Sequence, residues 1–478
     1  MMNSVWILSM GAITCVYRKI ASREKYEKRG YFMRYSFLAV VIVASTAWAQ
    51  TASLGNASLA SEVNAVYPQV QKLYVDLHEH PELSLHEVNT AAKLAARLRE
   101  LGYEVTEKVG GTGVVGILRN GTGPAVMLRT ELDALPVEEK TGLTYASTVH
   151  TKDDAGHDVP VMHACGHDVH MAAWVGTATI MAQTKKNWQG TLILVAQPAE
   201  ERGLGAKAMV ADGLFTRFPK PDVGVALHTS NNLPAGKVGF TPEYALSNAD
   251  TVNITIYGKG GHGAKPETTV DPIVIAARVV LALQTVVSRE IKPGDPAVIT
   301  VGYIQGGTKQ NIIPDEVHLG LTVRSYTSDV RKHLLSAIER ITKAEAEAAG
   351  VPKAPLVERV ESIDAVYNDP KLDERLRQVL IQVLGKQNVE QLPPNMASED
   401  YSAFVQAGVP SFYFSLGAAN PAKFEEAKAS GISLPSNHSP FFAPDMEPSL
   451  KTAIEAEVAV LQNLLGKAGT SGATMNNP

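Results

Sequence analysis

The chain has 478 residues, of which 45% are hydrophobic and 19% are charged. This length allows two or three domains with separate cores, and the composition excludes a disordered or fibrous protein. Residues 1–49 contain seven of the 44 Lys+Arg and two of the 49 Asp+Glu, so the rest carries a net charge of −10, which argues against nucleic acid or an anionic membrane surface as a partner.

The N-terminal region contains a pattern typical of a secretory signal peptide at residues 33–49. It has one arginine, a short apolar core and the sequence Ala47-Trp48-Ala49. We expect cleavage after Ala49, a periplasmic or secreted protein, and no membrane contact beyond this segment; an uncleaved N-terminal anchor is the alternative. Residues 1–32 do not fit in front of a signal peptide, and we expect translation to begin at Met33.

The chain has two cysteines, Cys15 and Cys165, and cleavage would leave only the second. A single cysteine in an oxidising compartment cannot form an intramolecular disulfide. Cys165 therefore needs another explanation.

The first half alternates helical and strand patterns in chain order. Helical apolar spacing covers 57–79 and 87–101 and is followed by three short β-like runs, YEVTEKV, GVVGILR and AVMLRTEL. The next elements are a helix at 166–183, the strand TLILVAQ (191–197), a helix at 206–212 and the strand DVGVALH (222–228). This alternation predicts an α/β domain with a largely parallel central sheet.

The pattern changes near Ser247. TVNITIYGKG and EVHLGLTVRSY alternate apolar and polar residues, and helices are predicted at 271–289 and 328–349. This order matches a split βαβ unit, so we predict an inserted α+β (ferredoxin-like) domain at 247–362 that interrupts the α/β domain (57–246 and 363–468). We expect residues 469–478 to be a disordered tail.

Potential metal ligands follow three of these strands and loops. Cys165 and His167 lie just before a helix, Glu200 and Glu201 follow TLILVAQ, and His228 ends DVGVALH. Functional side chains in open α/β sheets gather at the carboxyl ends of strands. A solvated glutamate pair is the alternative reading of Glu200 and Glu201, but the three groups together favour a metal site, suited to zinc and also to manganese, cobalt or nickel.

Several strings in this sequence resemble one family. They are HEHPELS (78–84), RTELDALP (129–136), MHACGHDVHMA, QPAEE, GKGGHGAKP (258–266), ASEDYSAF (397–404) and NHSPFF (437–442). In this order, from about residue 70 to about 460, they resemble the co-catalytic metal-dependent amidohydrolases that include hippurate hydrolase, N-acyl-amino-acid amidohydrolases and auxin-conjugate hydrolases. More distant relatives are aminoacylases, carboxypeptidases and dipeptidases.

The resemblance implies a centre with two divalent metal ions in the α/β domain. Its ligands would be Cys165, which bridges the ions, and four further side chains, His167, Glu201, His228 and His438. Glu200 falls on the position of the catalytic base. We expect structural roles for the neighbouring His163 and His170.

The chain departs from many relatives at Glu131-Leu132-Asp133, where they have His-x-Asp. The resemblance implies that His167 replaces the missing histidine ligand, which places the chain in the Cys-containing branch. Asp133 would then orient a ligand.

The inserted domain would contribute to the substrate site. In the family, the residue at His262 donates to the oxyanion across a dimer, or within one chain on closure, and the residues at Asn311 and Arg324 hold the substrate carboxylate. The alternatives are a turn role for His262, a loop cap for Asn311 and a surface ion pair for Arg324. A homodimer through the inserted domain is expected, and TVNITIYGKG is predicted to be an edge strand that could pair with its twin.

These expectations combine into two-metal hydrolysis of the amide bond of N-acyl amino acids, which gives a carboxylic acid and a free amino acid. One alternative is a dipeptidase or carboxypeptidase that uses the same site. Another is a metal-binding relative without catalysis, and a third is a structural protein without metal.

Overall fold

The computed structural model describes residues 58–466. The predicted upstream segment, signal peptide, Cys15 and C-terminal tail lie outside these residues. The described helices are α1 (58–79), α2 (Val88–Glu100), α3 (His167–Gln183), α4 (Gly205–Ala211), α5 (Pro272–Thr285), α6 (Ser328–Ala348), α7 (Pro370–Leu384), α8 (Ser402–Gln406), α9 (Pro421–Ser430) and α10 (Met446–Leu464).

The strands of the α/β part are β1 (Glu104–Val109), β2 (Gly113–Asn120), β3 (Ala125–Glu131), β4 (His150–Lys152), β5 (Asp158–Pro160), β6 (Gly190–Gln197), β7 (Val223–Pro234), β8 (Val238–Phe240) and β9 (Glu243–Leu246). The next strands in the chain are β10 (Asn248–Tyr257), β11 (Gly261–His262), β12 (Ala297–Gln305), β13 (Ile312–Ile313), β14 (Glu316–Ser325) and β15 (Leu356–Ile363). The chain then returns to the α/β part with β16 (Val366–Asn368), β17 (Val389–Gln391) and β18 (Ser411–Ala419).

The α/β part is built on an eight-stranded sheet in the order β1-β2-β6-β3-β7-β18-β8-β17. The four central strands β6, β3, β7 and β18 are parallel, and antiparallel pairings flank them on both sides. The predicted fold class is confirmed. Because β3, β6 and β7 are parallel neighbours, the residues that follow them come out at the same edge of the sheet.

Burial explains why these segments form interior elements. β6 is a continuous apolar run, and seven of its eight residues are buried, as expected for a parallel strand covered on both faces. α3 is apolar around its whole circumference and packs against α10 and the sheet. The helix is therefore fixed in the core, and so is its N-terminus, which carries His167.

The segment from β10 to β15 forms an α+β unit with its own apolar core. Its four-stranded antiparallel sheet has the order β12-β14-β10-β15, and α5 and α6 contribute buried residues such as Val279 and Ile338. β10 alternates between buried and half-buried residues, which is typical of a sheet with one covered face. The βαββαβ order is that of a ferredoxin-like unit.

The prediction that TVNITIYGKG is an edge strand is wrong. This segment forms β10, which pairs with β14 on one side and with β15 on the other. Alternating polarity reports that one face of a strand is buried, but it carries no information about lateral neighbours. Among the described residues, the ends of this sheet are β12 and β15.

Candidate active site

Cys165 and His167 enter the site through one tight turn. Gly166 between them has a φ of +82°, and a Cβ at this position would lie 2.6 Å from Oγ1 of Thr229. The Thr229 hydroxyl donates to the Cys165 carbonyl over 2.8 Å, which fixes the turn against β7. Glycine is therefore required where the chain turns from Cys165 into α3.

His228 on β7 faces the cysteine. Its Nε2 lies 3.4 Å from Sγ of Cys165, and its Nδ1 donates to the Thr229 carbonyl over 2.9 Å. This second hydrogen bond places the ring proton on Nδ1, so the lone pair of Nε2 points toward the cysteine. That tautomer is the one that binds a metal through Nε2.

His167 has the same arrangement. Its Nδ1 donates to the Asp133 carbonyl over 2.8 Å, while its buried Nε2 has no hydrogen-bond partner among the described residues. The Nε2 atom lies 3.8 Å from Oε2 of Glu200 and 3.8 Å from Oε1 of Glu201. An unpartnered nitrogen that faces two buried carboxylates suits a cation between them.

Glu201 lies between His167 and His438. Its Oε2 is 3.4 Å from Nε2 of His438, and its buried Oε1 has no hydrogen-bond partner in the described part of the chain. His438 comes from a loop near the C-terminus, and its φ of +70° is unusual for a residue other than glycine. Such backbone strain is common where a side chain is held for a function.

All five sequence-predicted ligands therefore converge. One ligand atom each from Cys165, His167 and His228 lie within 4.8 Å of one another, and the same holds for Cys165, Glu201 and His438. The cysteine sulfur belongs to both groups. The donor set of thiolate, imidazole and carboxylate, with its two orphaned buried atoms, fits two divalent ions that share Cys165.

The electrostatics of the cluster also favour added positive charge. Burial, with neighbouring carboxylates, raises the pKa of Glu200 well above its usual range, and burial raises the pKa of Glu201 to about 7. Burial also opposes charge on His167, but its bond to Asp133 and nearby carboxylates outweigh this and raise its pKa to about 10. Metal ions would neutralise these carboxylates.

Asp133 and His170 hold neighbouring parts of the cluster in place through hydrogen bonds. Asp133 accepts hydrogen bonds from Ser84 (2.6 Å) and from the Glu201 backbone N–H (3.0 Å), besides its carbonyl contact with His167. His170 lies 2.9 Å from a carboxylate oxygen of Glu131 through Nδ1, and its Nε2 accepts from the backbone N–H of Thr229.

His163, the other neighbouring histidine, is buried, and neither of its ring nitrogens has a partner among the described residues. Burial lowers its pKa to about 4, so the ring is neutral near pH 7. It packs in the turn that precedes Cys165.

A buried charge network behind Glu200 was missed at the sequence level. Arg129 on β3 is fully buried and contacts Glu131, Glu399 (2.7 Å) and Asp400 (3.4 Å). Its Nε also donates to the Gln197 side chain over 2.9 Å. The strings RTELDALP and ASEDYSAF contain these residues, but nothing in them shows that segments 270 residues apart pair through one guanidinium.

The inserted unit holds the remaining predicted residues. His262 and Asn311 are exposed neighbours, because β11 pairs with β13 and the Gly263 N–H donates to the Asn311 carbonyl. Within residues 58–466, no hydrogen bond or ion pair joins either side chain to the five converging ligands. Arg324 on β14 is half-buried and donates to the Ser398 hydroxyl over 2.9 Å, which connects the inserted unit to the 397–404 segment.

Arg324 has no carboxylate partner within 4.0 Å among the described residues. Burial lowers the pKa of its guanidinium, although it remains charged at neutral pH. An unpaired, half-buried guanidinium is suited to a carboxylate from a ligand.

Comparison with known proteins places this geometry in a family. Residues 127–462 match the sequence profile of peptidase family M20/M25/M40. The chain is 36% identical over 354 residues to hippurate hydrolase of Campylobacter jejuni, a match that covers 73% of this chain and 88% of that protein. It is 35% identical over 373 residues to thermostable carboxypeptidase 1 of Saccharolobus solfataricus, covering 76% and 90%.

Solved structures agree with these matches. A dinuclear metal-binding peptidase of the M20 family from Bacillus subtilis superimposes with a TM-score of 0.67 at 26% identity, covering 83% of this chain and 98% of that one. The family profile matches most of the chain, and the two relatives are 35% and 36% identical to it over most of their own length. The chain therefore belongs to peptidase family M20/M25/M40.

Proposed function

We propose that this metal-dependent amidohydrolase cleaves the amide bond of N-acyl amino acids and releases a carboxylic acid and a free amino acid. The observation that carries the proposal is the convergence of Cys165, His167, Glu201, His228 and His438 around two orphaned buried atoms. The similarity to hippurate hydrolase, a protein named for an N-acyl amino acid, supports the substrate class.

In this proposal the five converging side chains would hold two divalent ions, and Cys165 would be available to both. When bound, the ions would lower the pKa of a water molecule and polarise the amide carbonyl. The identity of the ions is left open between zinc, manganese, cobalt and nickel, because this donor set suits all four.

Glu200 is proposed as the general base. It is buried next to His167 and Glu201, and Asp400 and Glu399 lie behind it as further negative charges that raise its pKa. A carboxylate with a raised pKa takes a proton from water more readily than an ordinary one. Glu200 would then deliver the proton to the leaving nitrogen of the amino acid.

Arg324 is proposed to bind the α-carboxylate of the substrate, with Asn311 contributing from the same unit. The guanidinium contacts Ser398 and Thr322 but no carboxylate within the described residues, so its charge is available. Such a contact would favour amino acids with a free C-terminus.

His262 is proposed as the donor to the oxyanion that forms at the amide carbonyl. Its Nδ1 accepts the backbone N–H of Ala264 over 3.0 Å, so the proton of the neutral ring is on Nε2. The Nε2–H is therefore available as a donor. Because His262 is exposed and makes no contact with the metal ligands of its own chain, we place its action in the active site of a second copy.

The outer surface of the inserted unit is suited to such a dimer. β12 lies at the end of its sheet and exposes Tyr303 and Ile304, and α5 exposes Val274 and Leu281. An unpaired apolar edge strand can join its twin across a two-fold axis, with the helices packing alongside. This replaces the predicted pairing through β10, which has no free edge.

A carboxypeptidase activity is the second candidate, because the chain is equally similar to thermostable carboxypeptidase 1. The same metal centre and the same carboxylate contact would serve both reactions. The two reactions differ in the acyl part of the amide bond that is cleaved. It is a simple acyl group in an N-acyl amino acid and a peptide in a carboxypeptidase substrate.

The test is a hydrolysis assay of purified protein against N-acetyl, N-benzoyl and indoleacetyl amino acids, unblocked dipeptides and blocked peptides. It is run with and without a chelator, and with Glu200→Gln beside Glu347→Gln, an exposed glutamate of α6. We expect chelator-sensitive hydrolysis of acylated amino acids that Glu200→Gln lowers about 10²–10⁴-fold and Glu347→Gln leaves unchanged. Hydrolysis of peptides alone would move the assignment to the second candidate.

A further inference from the structure

His78 near the end of α1 is buried, and both of its ring nitrogens face carboxylates. Nδ1 lies 2.6 Å from Oδ2 of Asp168 and Nε2 lies 3.1 Å from Oε1 of Glu139, and all three side chains are at most 1% exposed. A neutral imidazole has one N–H, so only the protonated ring donates to both. The two carboxylates outweigh the effect of burial and raise the pKa of His78 to about 10.

Each carboxylate leads to one of the converging histidines, Asp168 through its own helix and Glu139 through a hydrogen bond from its neighbour to a second loop. Asp168 directly follows His167 at the start of α3, and its other oxygen accepts the Val169 N–H over 2.9 Å. Glu139 directly precedes Lys140, whose backbone N–H donates to the carbonyl of Pro440 over 2.7 Å. Pro440 lies two residues after His438 in the same loop.

His167 and His438 approach the same carboxylate, one from the start of α3 and the other from the loop that contains Pro440. His167 Nε2 is 3.8 Å from one oxygen of Glu201, and His438 Nε2 is 3.4 Å from the other. His167 is fixed by a core helix, whereas His438 lies in a loop without regular secondary structure. Hydrogen bonds to other segments hold this loop. The side chain of Asn437 donates to the carbonyls of Cys165 (3.1 Å) and Thr229 (3.3 Å). The His438 N–H donates to the Ala164 carbonyl (2.8 Å), and the Lys140 N–H donates to Pro440 on the far side of His438.

We propose that His78 is a positioning residue for the metal centre, whose bridge between Asp168 and Glu139 sets the spacing of His167 and His438. The inference rests on the proposed two-metal function and deepens it. Without the bridge, segment 137–147 loses its charged connection to α1 and α3 and keeps the packing of Tyr145 on Tyr74 of α1. The part of the segment around Glu139, with the anchor on Pro440, is then less firmly held. The ion that Cys165, Glu201 and His438 would hold would then occupy a poorly fixed site.

A purely structural role predicts a different result. Loss of the imidazolium leaves two buried carboxylates without their cation, which destabilises the fold whether or not metals bind. If that were the whole effect, the metal-free protein would unfold at a lower temperature while its affinity for metal stayed the same. Metal affinity and the stability of the metal-free protein therefore distinguish the two roles.

The experiment is a titration of metal-free protein with Zn²⁺ in competition with a chromophoric chelator, with thermal unfolding of the same metal-free samples. The variants are His78→Gln and the double variant His78→Gln/Glu139→Gln, which restores the wild-type net charge of the triad. His80→Gln is the matched control, since His80 lies two residues away and is 65% exposed.

We expect wild-type protein and His80→Gln to bind two ions with the same affinities. Both His78 variants should bind one of the ions about 10- to 100-fold more weakly, as is usual when a residue behind a metal ligand is lost. The double variant should regain thermal stability but not the affinity for this ion. If His78→Gln does not fold, the metal affinity of the double variant tests the proposal. Wild-type affinities in a folded His78 variant would overturn the bridge, whereas wild-type protein that binds no ions would overturn the proposed function.

Discussion

Sγ of Cys165 and Nε2 of His228 lie 3.4 Å apart, although the residues are 63 positions apart in the chain. The same sulfur is within 4.8 Å of ligand atoms of Glu201 and His438. One atom is therefore common to both groups of potential ligands. In the proposed centre, Cys165 is therefore the side chain on which both metal positions would depend.

Cys165→Ala should reduce the metal content from two ions to one or none. Loss of a residue that supports a metal ligand usually lowers activity by up to roughly 100-fold. Because Cys165 would be a ligand itself, the rate of hydrolysis should fall by more than this. Elemental analysis of purified protein measures the content, and Cys165→Ser, of similar size but with a poorer ligand, should give an intermediate result. Two tightly bound ions in Cys165→Ala would contradict a bridging role.

Arg324→Ala should act mainly on KM. Loss of a hydrogen-bonded charge pair of about 1.5–3 kcal/mol corresponds to an increase in KM of about 10- to 100-fold, with a smaller change in kcat. Steady-state kinetics with an N-acyl amino acid and with its C-terminal amide, which lacks the carboxylate, measure the effect. The variant should lose activity only on the acid.

The control is Arg340→Ala, an exposed arginine of α6 that pairs with Glu290. It should leave both substrates unaffected. An equal loss on acid and amide in Arg324→Ala would show that Arg324 supports the structure, through its bond to Ser398, and does not bind the substrate carboxylate.

His262→Ala and Glu200→Gln should complement each other. Each alone should lower kcat about 10²–10³-fold or more. If His262 acts in the partner's active site, a mixed dimer has one complete site, and random reassociation should restore about a quarter of wild-type activity. To test this, the two variants are mixed, dissociated and allowed to reassociate, and the activity of the mixture is measured. Light scattering gives the mass of the assemblies.

Mixed samples that stay as inactive as the separate variants would place His262 in the site of its own chain. A monomeric mass for wild-type protein would lead to the same conclusion. In either case the inserted unit would have to close over the α/β part for His262 to reach the substrate.

Part of the metal cluster could be predicted because some of its residues lie on or directly after parallel strands of one sheet. Glu200 and Glu201 follow β6 and His228 lies on β7, so a sheet-edge argument brings them together. His438 could be found only through the resemblance, since a loop near the C-terminus has no local pattern that indicates where it lies.

The supporting residues could not be predicted, because their partners are set by tertiary packing. HEHPELS contains His78, but the carboxylates that it contacts lie 61 and 90 positions away, and the string does not identify them. The same limit explains the wrong edge assignment of β10, since period-2 alternation describes the faces of a strand and not its neighbours.

Glu457 on α10 provides a test of stability against pH. Its side chain is buried, and Thr177 on α3 donates to it over 2.6 Å. Burial raises its pKa from 4.5 to about 8. Between these values the folded protein keeps a proton that the unfolded chain has released, so this group makes the protein less stable as pH rises from about 4.5 to about 8.

Glu457→Gln keeps an acceptor for Thr177 and removes the titration. Relative to wild type, the variant should be more stable at pH 8 by roughly 2–4 kcal/mol, and the difference should shrink toward pH 5. Unfolding midpoints of both proteins at pH 5, 6.5 and 8 measure the difference, so that other titrating groups cancel. Glu425→Gln, at an exposed position on α9, should show no such trend. A difference that does not change with pH would mean that Glu457 is ionised throughout this range and that its carboxylate is stabilised by a contact other than Thr177.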